Sequence, residues 1–475
     1  MGVAVGLAFR AFRVRRGEGG DTNQRAVARP AIMPTMLYGP EVPDDASVHQ
    51  VLDLALRIGE LQMASGAGAA DVTSTMLAVT DALGMPTCEV DVTFTSITIC
   101  CHRGYAAAPV SATRVVRSRS MDYTRLAEVE RLVRRIARGA LTTEQARMVL
   151  DEISSAPHPY PRWVATLAWS GMAAAVAVLL GGGLVLACIA ALATALIDRI
   201  GRLVNRIALP FFFQQVIGGA LATGIALGVN ALPDSLGGMR PTLVIAAGIV
   251  VLLSGLSLVG AVQDAITGFN VTAAGRAMEI TLMTIGLIIG VVLVLKLGVA
   301  VGSPLTVGEP IPPLLAHLPA MIAAGAATSF CFALASYATL RTLFLAGLAG
   351  AAGMASYGAL MLAGAEMIIA SAGAAALIGF VGGVVSRRLK MSPLAIAVSG
   401  ITPLLPGLTT YQALFKLTVD QDLSGGMRAL FLALGIGLAL AAGVVLGEYL
   451  AQPVRTGLSR LERRLAGPRF SGPLR

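Results

Sequence analysis

The sequence predicts an all-α polytopic membrane domain of about ten helices, two inverted five-helix repeats with interrupted helices, preceded by a small α+β domain. Three observations carry this. From about Pro161 to Leu450 the chain is almost continuously apolar, in helix-length pieces, and a bilayer core takes about 20 apolar residues per helix. Two glycine-containing stretches, one in each half of that region and the second also carrying prolines, look alike. The residues before Pro157 show helical spacing and then strict alternation.

The apolar segments lie near 162–180, 184–198, 208–229, 241–260, 279–297, 314–340, 342–357, 360–385, 391–404 and 427–450. A soluble helical core would cover its helices with polar faces, and most of these have none. The chain is 55% hydrophobic and 13% charged, with a mean hydropathy of +0.75. Its 54 glycines suit close helix contact in lipid. The net charge of +9 lies mainly in membrane flanks and tails, so it points to topology rather than to nucleic acid. Arg199, Arg202 and Arg206 follow the second segment, Arg341 the sixth, and Arg387, Arg388 and Lys390 the eighth. Arg455, Arg460, Arg463, Arg464, Arg469 and Arg475 close the chain. All fall inside if both termini are cytoplasmic and ten spans lie between them. The expected location is the plasma membrane.

Ahead of the membrane, residues 1–45 hold no lasting period and read as a disordered basic arm. A compact α+β domain is expected over 46–156. Its first helix covers Val48 to Met63. The Ala64–Ala69 turn leads into a second helix, Asp71 to Leu83, with its start near Ala70 or Asp71. Cys88, Val90, Val92 and Phe94 alternate with Glu89, Asp91, Thr93 and Thr95 in a strand. Ser96–Cys101 continues or pairs with it, and Arg114–Arg117 suggests another. Helices follow at Leu126–Ala137 and Thr142–Ile153. Pro157, Pro159 and Pro161 then break the chain. The membrane repeats are expected at 160–300 and 312–452, with a basic cytoplasmic tail over 453–475.

Five cysteines make no disulfide framework, and Cys100-Cys101-His102 lacks the spacing of a metal site. There is no G-x-S-x-G, H-E-x-x-H, P-loop or G-x-G-x-x-G motif. Ser65 could be imagined with His49 or His102 as a dyad, but a tight turn needing small residues explains it better. Neither an enzyme nor a cofactor or metal is expected.

The two look-alike stretches organise the membrane part. Leu252 to Gly260 runs on through Gln263-Asp264 to Gly275-Arg276. Val398 to Gly407 runs on through Tyr411-Gln412 to Gly426-Met427-Arg428. Each follows the fourth helix of a five-helix half. Five is odd, so the halves are expected upside down to one another, an architecture of secondary transporters with the substrate at the repeat interface. A channel could share that symmetry.

The span from about His49 to Val454 resembles the threonine/serine exporter family in its fused actinobacterial form. The likeness rests on the Ala64–Gly68 turn, the Asp91–Thr95 strand, Leu209-Pro210 with Phe212-Phe213-Gln214, Ser254-Gly255 through Gln263-Asp264, Ile266-Thr267-Gly268, Val271-Thr272-Ala273 with Glu279, Gly400 through Gly407 with Tyr411, and Gly443–Glu448. The resemblance implies ten helices, a cytoplasmic N-terminal domain, and export of L-threonine and L-serine driven by the proton motive force. It also brings a suggested likeness of the N-terminal domain to hydrolases, which no motif here supports. The chain departs from the pattern in lacking a proline before Gly260, where the second stretch has Pro406-Gly407.

Such a substrate is a zwitterion with a small hydroxyl. Its carboxylate needs helix-start amides or an arginine, and its ammonium needs carbonyls or a carboxylate. Broken helices offer both, where they line a cavity. The candidate substrate residues are Gln214, Ser254, Gly255, Gly260, Gln263, Thr402, Pro403, Pro406, Gly407 and Tyr411. Interhelical hydrogen bonding is an equal reading for Gln214 and Gln215. Asp264 and Glu279 are the candidate proton-coupling acids, since burial raises a carboxyl pKa toward neutral. Arg276 is the candidate charge partner, and a plain ion pair is the competing reading. The partners expected are the amino acid, protons and membrane lipid, with a homo-oligomer left open and no nucleic acid. A membrane-tethered hydrolase and a channel for small polar solutes are the alternatives. Ten symmetric helices are far more than an anchor needs.

Overall fold

The computed structural model describes residues 44–102, 108–117, 121–231, 242–252, 255–302, 317–389, 393–418 and 420–465. Residues 1–43 of the expected basic arm therefore lie outside the described residues, as does Ser254, while its last two, Asp44 and Asp45, cap and open the first helix.

The chain begins with α1 (Asp45–Ala64) and α2 (Ala69–Ala82). A tight turn joins them, in which Gly66 takes a φ of +101°, a conformation glycine adopts without cost. The second helix starts two residues earlier than its sequence suggests. Gly68, in extended conformation, is its N-cap. Three antiparallel strands follow in the order β1 (Cys88–Thr93), β2 (Ser96–Cys101), β3 (Val110–Val115). The first two pair from Cys88↔Cys101 to Thr93↔Ser96. The third begins four residues before the expected Arg114–Arg117 and overlaps it at Arg114 and Val115. Helices α3 (Tyr123–Ile136) and α4 (Thr143–Ser155) complete the domain. Asp122 caps α3 through Arg125 N–H at 3.0 Å, and Thr142 with Gln145 forms a capping box on α4. Leu52, Leu54 and Ile58 of α1, Met76 of α2, Ile97 and Ile99 of β2, and Leu132 of α3 are fully or almost fully buried together.

The membrane helices of the first half are α5 (Arg162–Leu179), α6 (Leu184–Arg206), α7 (Phe211–Asn230), the broken pair α8 (Thr242–Leu252) and α9 (Gly255–Ile266), and α10 (Asn270–Ala300). Those of the second are α11 (Leu318–Ala335), α12 (Leu340–Leu362), α13 (Met367–Leu389), α14 (Pro393–Ile401) with a 3₁₀ turn (Thr402–Leu404) leading to α15 (Gly407–Thr418), and α16 (Leu423–Leu465). Eight described helices are long and apolar enough to cross a membrane, and the α8–α9 pair, bent by 45°, adds a ninth. Ten is reached by counting α14 and α15 as one further span. The protein is a multi-pass membrane protein with exposed leucine, valine, isoleucine and phenylalanine along its outer helix faces. The last helix continues to Leu465, into the region expected as tail, where Leu458, Leu461 and Leu465 keep a helical period.

Small residues set the packing. In the first half α7 lies against α10. A Cβ on Gly286 would stand 2.7 Å from the Phe212 carbonyl oxygen, and one on Gly290 would overlap that of Val216. In the second half α13 lies against α16 in the same way. A Cβ on Gly443 would stand 2.5 Å from the Ala372 oxygen, and one on Gly447 would overlap that of Ala376. The third and fifth helices of each half thus share a Gly-x₃-Gly contact. The broken helices run through the middle. Residues Leu243 to Val250 of α8 and Ala395 to Ile401 of α14 are buried. Gly407, at the start of α15, lies so close to Val250 of α8 that a Cβ there would overlap it. The two breaks are therefore neighbours.

The N-terminal domain is packed onto this bundle. One continuous apolar cluster runs from α1 and the sheet into α5, α8 and α11.

Candidate functional site: a chamber beneath the N-terminal domain

Among the described residues, three sets of hydrogen bonds hold the N-terminal domain against the bundle. At the first, Asp264 near the end of α9 receives the Ala69 N–H of α2 on Oδ1 at 2.9 Å. A carboxylate at a helix N-terminus meets both an unpaired amide and the positive end of the helix dipole. At the second, the β1–β2 hairpin tip rests on the first turn of α10. Phe94 N–H donates to Thr272 Oγ1 at 3.1 Å, and Thr272 donates to the Val92 carbonyl at 2.7 Å. Phe94 holds a φ of +50°, a strained backbone for a bulky residue, and its ring covers Gly275. At the third, α3 meets the end of α11. Tyr123 N–H donates to the Ser336 carbonyl at 3.0 Å and Thr124 Oγ1 to that of Tyr337 at 2.5 Å. His158 stacks on Tyr337 at 4.3 Å and bonds buried Asp122 at 2.8 Å.

Between these contacts lies a chamber of about 990 Å³. Met63, Phe94, Arg117 and Met121 roof it from the N-terminal domain. Its other walls come from α5 to α11 and from the 3₁₀ turn of the second break. Ser257 and Gly260 of α9 and Thr402 and Leu405 at the second break all border it. Its charged residues are Arg117, Arg162, Arg202 and Arg276 with Asp198 and Glu279. Arg202 bonds both Asp198, one turn earlier in α6, and the Thr166 hydroxyl. A smaller cavity beside it, about 30 Å³, is bordered by Ser65, Gly68, Tyr123, Gly260, Gln263 and Arg276.

Arg276 links the two cavities. Its Nη1 lies 2.7 Å from Asp264 Oδ2, and both residues are buried, at 8% and 0% exposure. Gly260 makes this possible, since a Cβ there would stand 3.1 Å from Nη1. A second acid approaches from the other side. Asp71 Oδ2 and Asp264 Oδ1 both lie within 4 Å of where a Gly68 Cβ would be. Asp71 keeps an exposed face, yet the domain and bundle crowd it at longer range. That crowding, and then the Asp264 charge, hold its carboxyl above the usual range.

The sequence-predicted residues divide. Gly260, Gln263, Thr402, Arg276 and Glu279 border the cavities, and Asp264 is bonded at their edge. Thr402 spends its hydroxyl on the Val398 carbonyl at 3.1 Å. Gly255 starts α9, and Pro403 is buried in the second break with Pro406 and Gly407 next in the chain. Tyr411 is buried in an apolar cluster with Leu243, Ile245 and Phe415. Gln214 turns its amide back to the Leu209 carbonyl at 2.9 Å. Its neighbour Gln215 borders the chamber instead. Arg162, Asp198 and Ser336 also border the chamber, and no motif marks them as site residues. The Asp198–Arg202 pair, four residues apart in an apolar helix, was the available signal.

Three buried polar atoms around the chamber have no hydrogen-bond partner among the described residues: Gln215 Oε1, Ser336 Oγ and Arg276 Nε. One is an acceptor, one an obligate donor and one either. Of the imagined dyad, Ser65 is buried at its turn, while His49 bonds the Asp45 carbonyl and His102 faces Glu89. No group of three or more His, Cys, Asp or Glu is placed to hold a metal among the described residues.

Two family models match the chain. One, for a threonine/serine exporter, covers residues 53–298, and a second, "Threonine/Serine exporter, ThrE", covers 321–450. A protein of Mycobacterium tuberculosis named "Probable threonine/serine exporter" is 40% identical over 440 residues, 90% of this chain and 81% of its own. The "Threonine/serine exporter" of Corynebacterium glutamicum is 38% identical over 431 residues, 90% of this chain and 88% of its own. No solved structure matches the chain.

Proposed function

The chain belongs to the threonine/serine exporter family, and from that membership we propose that it is a secondary transporter carrying L-threonine and L-serine out of the cytoplasm, driven by the proton motive force. The observation that carries this reading is the chamber. It joins residues of both helix breaks to four arginines and two acids, which complement the carboxylate and ammonium of an amino acid. Its volume exceeds what a small amino acid fills, so it is a vestibule on the loading side with the N-terminal domain as its roof. That side is the cytoplasm, and both termini lie there, in keeping with the positive clusters.

The two halves act as inverted repeats. The shared Gly-x₃-Gly contact of third and fifth helices and the adjacency of the breaks support this. Alternating access then rocks one half against the other about the breaks. Asp264 couples the proton. Paired with Arg276 it holds Arg276 away from substrate. Protonated, it frees the guanidinium for the substrate carboxylate. Glu279, one turn along α10 from Arg276 and also facing the chamber, is the second acid on this path.

Counterflow in proteoliposomes tests the reading. Internal unlabelled threonine should drive uptake of labelled threonine and serine, saturably, and an imposed pH gradient should drive net threonine movement. Flux that neither saturates nor shows trans-stimulation would make the protein a channel.

A further inference from the structure

We propose that Gln215 is the specificity-determining residue of this transporter, its carboxamide taking the β-hydroxyl of the substrate. The proposal rests on the export reading above and adds the group that tells threonine from an isostere lacking the hydroxyl.

The polar groups of the chamber divide by chemistry. A substrate carboxylate is best met by a guanidinium, and Arg276 keeps an unpartnered Nε there. An ammonium is best met by a carboxylate, and the chamber is lined by two, Glu279 and the Asp198 that also pairs with Arg202. The hydroxyl is neutral, both donor and acceptor, and a carboxamide is its neutral counterpart with one end of each kind. Gln215 is the one carboxamide bordering the larger chamber among the described residues. It is 5% exposed, and its Oε1 has no partner. Leaving a buried amide oxygen unbonded is costly, and the cost persists where a ligand repays it. The χ3 torsion is soft, so the carboxamide can turn its oxygen to meet a ligand in the chamber that Gln215 borders.

The backbone beneath Gln215 is fixed. It sits one turn after Phe211, on the same face of α7, and Phe211 also borders the chamber. Across from it α10 presents Gly286, where a Cβ would stand 3.4 Å from the Gln215 Cβ and 2.7 Å from the Phe212 oxygen. The carboxamide is thus mounted on a tightly packed helix pair. Gln214, one position earlier, faces elsewhere and is already bonded.

The test is competition during threonine counterflow by the full-length protein in proteoliposomes. Threonine and valine have the same shape, and only the hydroxyl differs. The wild type should prefer threonine. Gln215→Leu should lower that preference by about 10-fold to 100-fold, the effect of one buried hydrogen bond, chiefly by weakening threonine and serine. Gln215→Met, of similar length, should do the same and covers the case in which the leucine variant folds poorly. Ligand-induced thermal stabilisation in detergent gives the same comparison if turnover is lost. An unchanged threonine-to-valine ratio in a folded variant overturns the proposal. So does an equal loss of both amino acids, which would assign Gln215 to the ammonium. Absence of threonine counterflow in the wild type would instead overturn the export reading, and this proposal with it.

Discussion

The Asp264 carboxylate of α9 accepts the Ala69 N–H of α2 across 195 residues of sequence, at 2.9 Å. The same carboxylate pairs with Arg276 through its other oxygen at 2.7 Å. One acid in a broken membrane helix therefore caps a helix of the N-terminal domain and holds the arginine of the chamber wall. Any event that changes its charge acts on docking and on the guanidinium together.

Asp264→Asn should abolish pH-driven threonine export while threonine exchange persists, because exchange moves no net proton. It should also reduce folded protein. Leaving one member of a buried ion pair costs about 3–5 kcal/mol. Adding Arg276→Gln removes the orphaned charge and should restore membrane abundance but not pH-driven export. Abundance, exchange and pH-driven flux measured on the wild type and both variants separate the two effects. Full pH-driven export by well-expressed Asp264→Asn would falsify the proton role.

The glycine contacts predict opposite outcomes for one substitution at two sites in neighbouring helices. Gly290→Ala puts a Cβ into the Val216 carbonyl and 2.8 Å from Ala220 N. It should part α7 from α10 and cost about 1–3 kcal/mol. Gly224→Ala, in α7, meets nothing within 4 Å and should gain up to about 1 kcal/mol of helix propensity. Thermal unfolding in detergent reads both. Equal midpoints would refute the close packing of these helices.

Much of this was legible in the sequence, and what was not has a common cause. Apolar segments name most membrane helices because lipid demands helix-length runs. The glycines at 255–260 and the glycines and prolines at 400–407 marked the two breaks. The alternation from Cys88 to Thr95 gave β1 and ran into its turn. Gly68 as the start of α2 was hidden, because its cap is not a neighbouring side chain. The contact that substitutes for one comes from Asp264, on Ala69 N–H. Gln214 and Gln215 looked equivalent in the sequence. Only the angular position on α7, and the carbonyl of Leu209, separate them. Chamber residues such as Arg162 and Ser336 belong to helix ends, where a charge or hydroxyl looks like ordinary solvation.

Phe94 and Gly275 form a second test of docking. The Phe94 ring atoms would be 2.9 Å from a Cβ at position 275, so Gly275→Ala must lift the ring. The hairpin tip then loses the contact that compensates its φ of +50°, a conformation costing about 1–2 kcal/mol for a side-chain-bearing residue. Hydrogen exchange at the Phe94 amide, now bonded to Thr272, should quicken in Gly275→Ala, while that of Ile97 and Ile99 in the sheet should not. Uniform quickening across the sheet would mean that the domain, not its docking, had been damaged.

Asp71 gives the docking a pH dependence whose sign is fixed. Crowding by surrounding protein and the negative charge of Asp264 raise its carboxyl above the ordinary value of 3.8. Separation of the domain from the bundle would remove both influences, so the docked state binds this proton more tightly than the undocked state. Docking should therefore strengthen as pH falls from neutral through the raised value, and the gain should be complete below 3.8. Above the raised value ionised Asp71 repels Asp264, and the gain is lost. Asp71→Asn removes the repulsion without a titrating group. It should make docking tighter at neutral pH and flatten this part of its pH profile. A pair of spin labels placed across the β1–β2 tip and the first turn of α10 reports docking by the distance between them as the pH is lowered from neutral toward 3.8. A larger share of the short, docked distance on acidification in the wild type, with little change in Asp71→Asn, is the expected result. Identical profiles for the two proteins would remove Asp71 from the mechanism of docking.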